Sequence, residues 1–133
     1  MSHKTTKRKF GFKEKRIHMG VFDFSIIAII GDYKRVGDYI KWKFEDDDFN
    51  AESFDMGYEP RGKVFYRRGY VPVLWIPRKP KTAREHATLA HESLHCVYHL
   101  FEWANLPMSR DTEEVAAHSM AHIMANIITD ILT

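Results

Sequence analysis

The sequence predicts an α+β fold from three observations. The apolar run from Val21 to Ile30 has the partly alternating, then continuous pattern of a strand. Two shorter apolar segments flank Arg68-Gly69, as in a β-hairpin. The last third of the chain instead spaces its apolar residues as helices do. Residues 1–133, of which 44% are hydrophobic, are expected to form one domain with a modest core.

The first half of the chain predicts one strand and one helix. After the strand Val21 to Ile30, the segment from Tyr33 to Phe44 has helical spacing, weakened by Gly37. The stretch from Glu45 to Gly62 is acidic and irregular. Because it lacks the ligand spacing of an EF-hand, it is interpreted as a solvated loop rather than a calcium site.

The hairpin is expected from Lys63 to Arg67 and from Tyr70 to Ile76. Pro72 lies within the second of these segments and has no backbone N–H to donate. The pattern therefore predicts that Tyr70 to Ile76 is an edge strand.

Two helices are predicted to follow the hairpin. The first runs from Thr82 to Trp103, with Thr82 as N-cap and Glu85 as its capping-box partner. It is apolar on most faces and polar along one stripe, which predicts a buried helix. Pro107 interrupts the helical pattern, and Asp111 is the expected N-cap of the second helix. The two helices would then form a hairpin.

The first of these helices carries the sequence His91-Glu92-Ser93-Leu94-His95, which is an HExxH motif. Residues four apart share a helix face, so His91 and His95 can direct two imidazole nitrogens at one metal ion. Glu92 lies about 100° around the helix from His91, close enough to take a proton from a water that the metal activates. The pattern is that of a zinc hydrolase with Glu92 as general base.

A catalytic zinc needs a third protein ligand, and Glu114 is the candidate. Eighteen residues separate His95 from Glu114, and the expected helical hairpin returns the start of the second helix toward the motif. If Glu114 does not reach the two imidazoles, Glu102 and Glu113 are the alternatives.

These residues resemble the gluzincin group of zinc metallopeptidases, over roughly Val64 to Ile128. The similarity consists of HExxH, an 18-residue gap and a Glu within Glu114-Val115-Ala116-Ala117. The chain is short for that group and is most similar to minimal gluzincins and to small peptidases encoded by phages and prophages. The resemblance implies a zincin-like fold, in which a small sheet packs against the HExxH helix and a second helix that bears a ligand. It further implies Zn²⁺ held by His91, His95 and Glu114, with Glu92 catalytic.

The resemblance also implies an oxyanion-stabilising side chain and a peptide-binding strand edge. The first could be Tyr66, Tyr70, Tyr98 or His118, and the sequence does not choose among them. The strand expected at Tyr70 to Ile76 stands in the place of the peptide-binding edge, where strand addition would hold an extended substrate.

Other histidines and the single cysteine have less specific interpretations. His91 and His99 lie too far apart along one helix to share an ion, so His99 is expected to pack or to support the site. His118 and His122 share a face with Glu114 and could orient a ligand or donate a hydrogen bond. Cys96 points away from the polar stripe and is expected to be a small core residue.

Charge and targeting signals limit the partners. Residues 1–16 form a basic arm of net charge +6 in a chain of net charge +2, interpreted as a solvated tail or charged edge strand. A net charge this small over the whole chain does not favour a dedicated nucleic-acid-binding protein. No apolar run is long enough for a membrane span, and the N-terminus lacks a signal-peptide pattern. One cysteine excludes an intramolecular disulfide, so a cytoplasmic location is expected, in the bacterial host cell if the chain is phage-encoded.

The function expected from the sequence is zinc-dependent hydrolysis of peptide bonds in a peptide or protein substrate. The alternative is a catalytically idle, metal-stabilised interaction protein, such as a phage-type modulator of a host protein. The sequence leaves the cleavage preference and the oligomeric state open.

Overall fold

The order of strands and helices confirms the α+β class. The computed structural model describes residues 10–20, 22–45 and 61–129. The strands are β1 (Lys13–His18), β2 (Ser25–Ile30), β3 (Lys63–Phe65) and β4 (Val73–Ile76). The helices are α1 (Val36–Lys43), α2 (Ala83–Ala104) and α3 (Glu113–Thr129), and short 3-10 turns precede α1 (Tyr33–Arg35) and α3 (Arg110–Thr112).

The four strands form one mixed sheet in the order β1-β2-β4-β3. β2 and β4 are parallel and lie in the middle, whereas β1 and β3 are antiparallel to their neighbours and form the edges. Successive side chains of a strand point to opposite faces, so a strand covered on both faces is apolar throughout. In β2, Ile26 and Ala28 therefore pack into a core with α2 and α3, while Ile27 and Ile29 pack into a second core with α1.

The position of β4 corrects the expected edge strand. β4 begins at Val73 and lies between β2 and β3, so the prediction that Tyr70 to Ile76 is an edge strand was wrong. Pro72 precedes the strand, where its missing N–H interrupts no ladder, and its carbonyl accepts a hydrogen bond from the Ile27 backbone at 3.0 Å. The edge of the hairpin is β3 instead.

Helix α2 begins as the sequence predicts. The Thr82 hydroxyl accepts a hydrogen bond from the Glu85 backbone, and the Glu85 carboxylate accepts one from the Thr82 backbone, each at 3.1 Å. Both partners of the capping box are therefore present, which satisfies N–H groups that have no acceptor within the helix. The helix ends at Asn105, whose left-handed backbone (φ 56°) suits a C-terminal cap.

The prediction that α2 is buried on nearly all sides was wrong. Its inner face, including Leu89, Val97 and Leu100, packs against the sheet and α3. Its outer face is exposed to solvent and carries His91, Leu94, His95 and Tyr98. Within the described residues, other elements pack against only one side of α2. The opposite side therefore meets solvent, although some of its side chains are apolar.

The expected helical hairpin is present, but its second N-cap differs from the prediction. Asp111 lies inside the 3-10 turn and caps no helix. The Thr112 hydroxyl instead accepts a hydrogen bond from the Ser109 backbone at 3.0 Å and donates one to the Pro107 carbonyl at 2.6 Å. α3 then packs Ile123 and Ile127 into the core that it shares with α2.

Two predictions fall partly or wholly outside the described residues. Of the basic arm, residues 1–9 are not described, while Lys13 to Arg16 belong to the edge strand β1, in agreement with the interpretation as a charged edge. Most of the acidic segment, residues 46–60, also lies outside. None of the helices in the described ranges is long and apolar enough to cross a membrane.

Candidate metal centre

His91 and His95 direct their ring nitrogens at each other across one turn of α2. Their Nε2 atoms are 3.2 Å apart, and the two rings are inclined at 73°. Two nitrogens bound to one tetrahedral zinc at about 2.0–2.1 Å would be about 3.3–3.4 Å apart. The pair therefore fits two ligand positions of a zinc ion. A hydrogen bond from one neutral imidazole to the other accounts equally well for this distance.

Glu92 lies beside this pair and is enclosed by protein. Only 8% of the residue is exposed, and its Oε2 atom is 3.9 Å from Nε2 of His91. Burial raises the pKa of the Glu92 carboxyl above its ordinary value, because desolvation disfavours the charged form. Two effects oppose this rise in pKa: the positive charge that His91 and His95 would carry if protonated, and a hydrogen bond from the Val64 backbone. A carboxyl group in such surroundings is suited to accept and release a proton.

The edge strand β3 approaches α2 closely at Glu92. A Cβ atom built on Gly62, the residue before β3, would lie 2.9 Å from Cγ2 of Thr88 and 3.3 Å from Cγ of Glu92. Gly62 thus permits a close approach that a larger residue would prevent. Sequence reasoning did not identify Gly62 or Val64, although a glycine directly before a predicted strand was a visible signal of such an approach.

Glu114 is not brought to the two imidazoles. Its side chain is 84% exposed, and its Oε2 atom is 3.4 Å from Nε2 of His118. Within the described residues, no group of three or more His, Cys, Asp or Glu side chains is arranged to hold a metal ion. The alternatives Glu102 and Glu113 are exposed as well. The structure therefore assembles two of the three expected ligands, and Glu114 as the third stays a prediction.

The four candidates for stabilising an oxyanion occupy different places. Tyr70 packs on Phe44 and donates a hydrogen bond to Glu45 in the α1 layer, across the sheet from the histidine pair. His118 pairs with Glu114. Tyr98 is exposed on α2. Tyr66, which follows β3, stacks on the ring of His99 with centroids 4.1 Å apart, one helical turn beyond His95.

The remaining predicted residues have structural roles. Burial lowers the pKa of His99, which favours the neutral imidazole that stacks on Tyr66. Cys96 is fully buried in the core, as predicted, and burial raises the pKa of its thiol. His122 donates a hydrogen bond from Nε2 to the His18 carbonyl at 2.7 Å, which joins α3 to the end of β1.

Comparison with known proteins adds no relative from which residue roles could be transferred. No protein-family model, no curated protein and no solved structure matches the chain.

Proposed function

We propose that this protein is a zinc-dependent peptidase whose reaction centre is formed by His91, Glu92 and His95. The observation that carries the proposal is the 3.2 Å separation of the two Nε2 atoms, with the enclosed Glu92 carboxylate beside them. Zinc held there would acidify a water molecule and polarise the substrate carbonyl. A ligand set of two imidazoles, His91 and His95, with Glu114 as the expected carboxylate ligand, would favour zinc over calcium or magnesium.

Glu92 is the proton-transfer group in this proposal. It would take a proton from the attacking water and deliver it to the amine that leaves when the peptide bond breaks. The position of Glu92 beside the two imidazoles, with little of the residue exposed to solvent, suits both steps.

The edge strand β3 supports a peptide as the substrate. The N–H and C=O groups of one residue point to the same side of a strand, and the Val64 N–H points toward Glu92. The Val64 carbonyl is therefore directed to the same side, where it could accept a hydrogen bond from an extended substrate. Such pairing would bind the peptide backbone largely independently of its side chains.

The catalytically idle alternative has one observation in its favour, which is the exposed position of Glu114 away from the two histidines. A bound ion with two protein ligands would stabilise a surface without supporting hydrolysis. We further propose a reducing, cytoplasmic compartment for either function, because the single cysteine, Cys96, is a buried free thiol.

Hydrolysis of a mixed-sequence peptide library by the zinc-loaded protein tests the proposal. We expect cleavage that stops when a chelator removes zinc and returns when zinc is restored. His86→Ala, which alters a histidine of the same helix outside the pair, should leave the cleavage in place. Absence of cleavage by a protein that binds zinc would support the idle alternative.

A further inference from the structure

A basic cavity opens at the N-terminal end of α2. It has a volume of about 420 Å³ and is lined by the cationic residues Arg61, Arg78, Lys81 and Arg84, with Ile76 and Thr88 among its other walls. The cavity adjoins the candidate centre, because a Cβ atom built on Gly62 would lie 2.9 Å from Thr88 and 3.3 Å from Glu92, so that Gly62 lies beside both residues. A ligand that extends from Glu92 along β3 would therefore enter this cavity.

The charge of the cavity is not balanced by its own acidic residue. The Glu85 carboxylate already has partners at the start of α2. It accepts hydrogen bonds from the backbones of Lys81 and Thr82 and forms a salt bridge with Arg78. These contacts lower the pKa of Glu85 to about 2. Arg61, Lys81 and Arg84 form no salt bridge with any acidic residue in the described ranges. Three cationic side chains thus remain to bind an anion.

The anion would be bound by these side chains and not by the helix terminus. The Glu85 N–H is already bonded to the Thr82 hydroxyl, and the carboxylate of Glu85 covers the N–H groups of Lys81 and Thr82. Guanidinium groups bind carboxylates through paired hydrogen bonds. The apolar wall formed by Ile76 would pack against the methylene groups of a glutamate side chain.

We propose that this cavity is a specificity pocket for an acidic side chain of the peptide substrate. The inference rests on the proposed function, because that function supplies the cleaved bond from which the pocket is numbered. Binding of the acidic side chain itself does not require hydrolysis. Thr88 precedes Glu92 by one helical turn, about 6 Å, and one residue of an extended peptide spans about 3.3 Å. The acidic residue therefore lies one or two positions from the cleaved bond.

The test compares fluorogenic peptides that differ only by Glu or Gln at each of the two positions on either side of the cleaved bond. For the zinc-loaded protein we expect kcat/KM to be about tenfold higher for Glu at one of these positions, the scale of a charge-assisted hydrogen bond. Arg84→Gln should reduce the ratio to about twofold or less. Lys79→Gln also removes one positive charge, from the connection that precedes α2 and outside the cavity lining, and should keep the ratio.

Binding of the same peptides in the presence of a chelator separates this inference from the proposed function. Preferential binding of the Glu peptide, lost in Arg84→Gln and kept in Lys79→Gln, supports the pocket even if no peptide is cleaved. Cleavage without a preference for Glu would overturn the specificity pocket and would leave the proposed peptidase function unaffected. If the protein neither cleaves these peptides nor binds the Glu peptide preferentially, both the pocket and the proposed function are overturned. Tighter, Arg84-dependent binding of a single-stranded oligonucleotide would show that the cavity serves nucleic acid and overturn the assignment to peptide.

Discussion

The Nε2 atoms of His91 and His95 lie 3.2 Å apart on the exposed face of α2. The His91 side chain is 68% exposed, so an ion could reach the pair directly from solvent. This exposure means that the two imidazoles are not under strain from burial. Any stabilisation of the fold by zinc would therefore come from preferential binding to the folded chain.

Zinc should raise the Tm, as measured by thermal unfolding with and without chelator. At free zinc of about 100 times its Kd the free energy of unfolding should increase by about 2.7 kcal/mol. Ligation requires neutral imidazole, so the gain should shrink as the pH falls and protons compete with zinc for the two rings. His91→Ala and His95→Ala should abolish the gain, and His86→Ala should retain it. A wild-type Tm indifferent to zinc and chelator would contradict the metal site.

The third ligand is identified by zinc affinity in three matched variants. Glu114→Ala should weaken zinc binding by about 100-fold or more, because loss of a supporting group alone costs about 10–100-fold. Glu102→Ala and Glu113→Ala remove comparable exposed carboxylates and should leave the Kd unchanged. Calorimetric titration measures all three. If one of the two controls loses affinity instead, that residue replaces Glu114 as the ligand.

Gly62→Ala should disturb the approach of β3 to Glu92. The added Cβ would lie within 3.3 Å of the Trp75 carbonyl as well as Glu92, and overpacking of this kind costs about 1–3 kcal/mol. Denaturant unfolding should show this loss, together with a lower kcat. Gly31→Ala is the control, because its Cβ would clash with the Phe12 ring, in the core packed against α1. That variant should lose stability while the folded fraction keeps its kcat.

The charge of Glu85 should stabilise the fold at neutral pH. Its pKa in the folded protein is about 2, below the ordinary value of 4.5, because backbone hydrogen bonds and Arg78 favour the carboxylate. The stabilisation is therefore full above pH 4.5 and is lost as the pH falls toward 2. Denaturant unfolding at pH 7, 4 and 3 should show a difference between wild type and Glu85→Gln that shrinks at each step. A difference independent of pH would contradict this assignment.

The parts of the fold that could be predicted are those governed by local signals. The Thr82 and Glu85 pair marked the start of α2, and the apolar pattern from Val21 to Ile30 marked a strand at the position of β2. The residues in and around β4 do not show that this strand lies inside the sheet. That position results from the parallel pairing of β4 with β2, which is more than forty residues away in the sequence. Pro72 misled the interpretation because it lies just outside the ladder.

The part of the candidate site that could be predicted is likewise the part that depends on local sequence. The spacing of His91 and His95 fixes their shared helix face, and the helix places Glu92 beside them. The partners that depend on tertiary packing, namely Val64 and Gly62 beside Glu92, were not foreseen. The position of Glu114 depends on how α3 lies against α2, so the 18-residue spacing alone did not determine it.

The most direct test of the peptidase mechanism is the activity of Glu92→Gln at full zinc occupancy. Zinc content and peptide cleavage would be measured on the same sample. Because the proposal gives Glu92 a role in proton transfer and no bond to the metal, we expect the variant to bind zinc with the affinity of the wild type and to lose cleavage by about 100-fold or more. A zinc-loaded Glu92→Gln variant with wild-type activity would contradict the account.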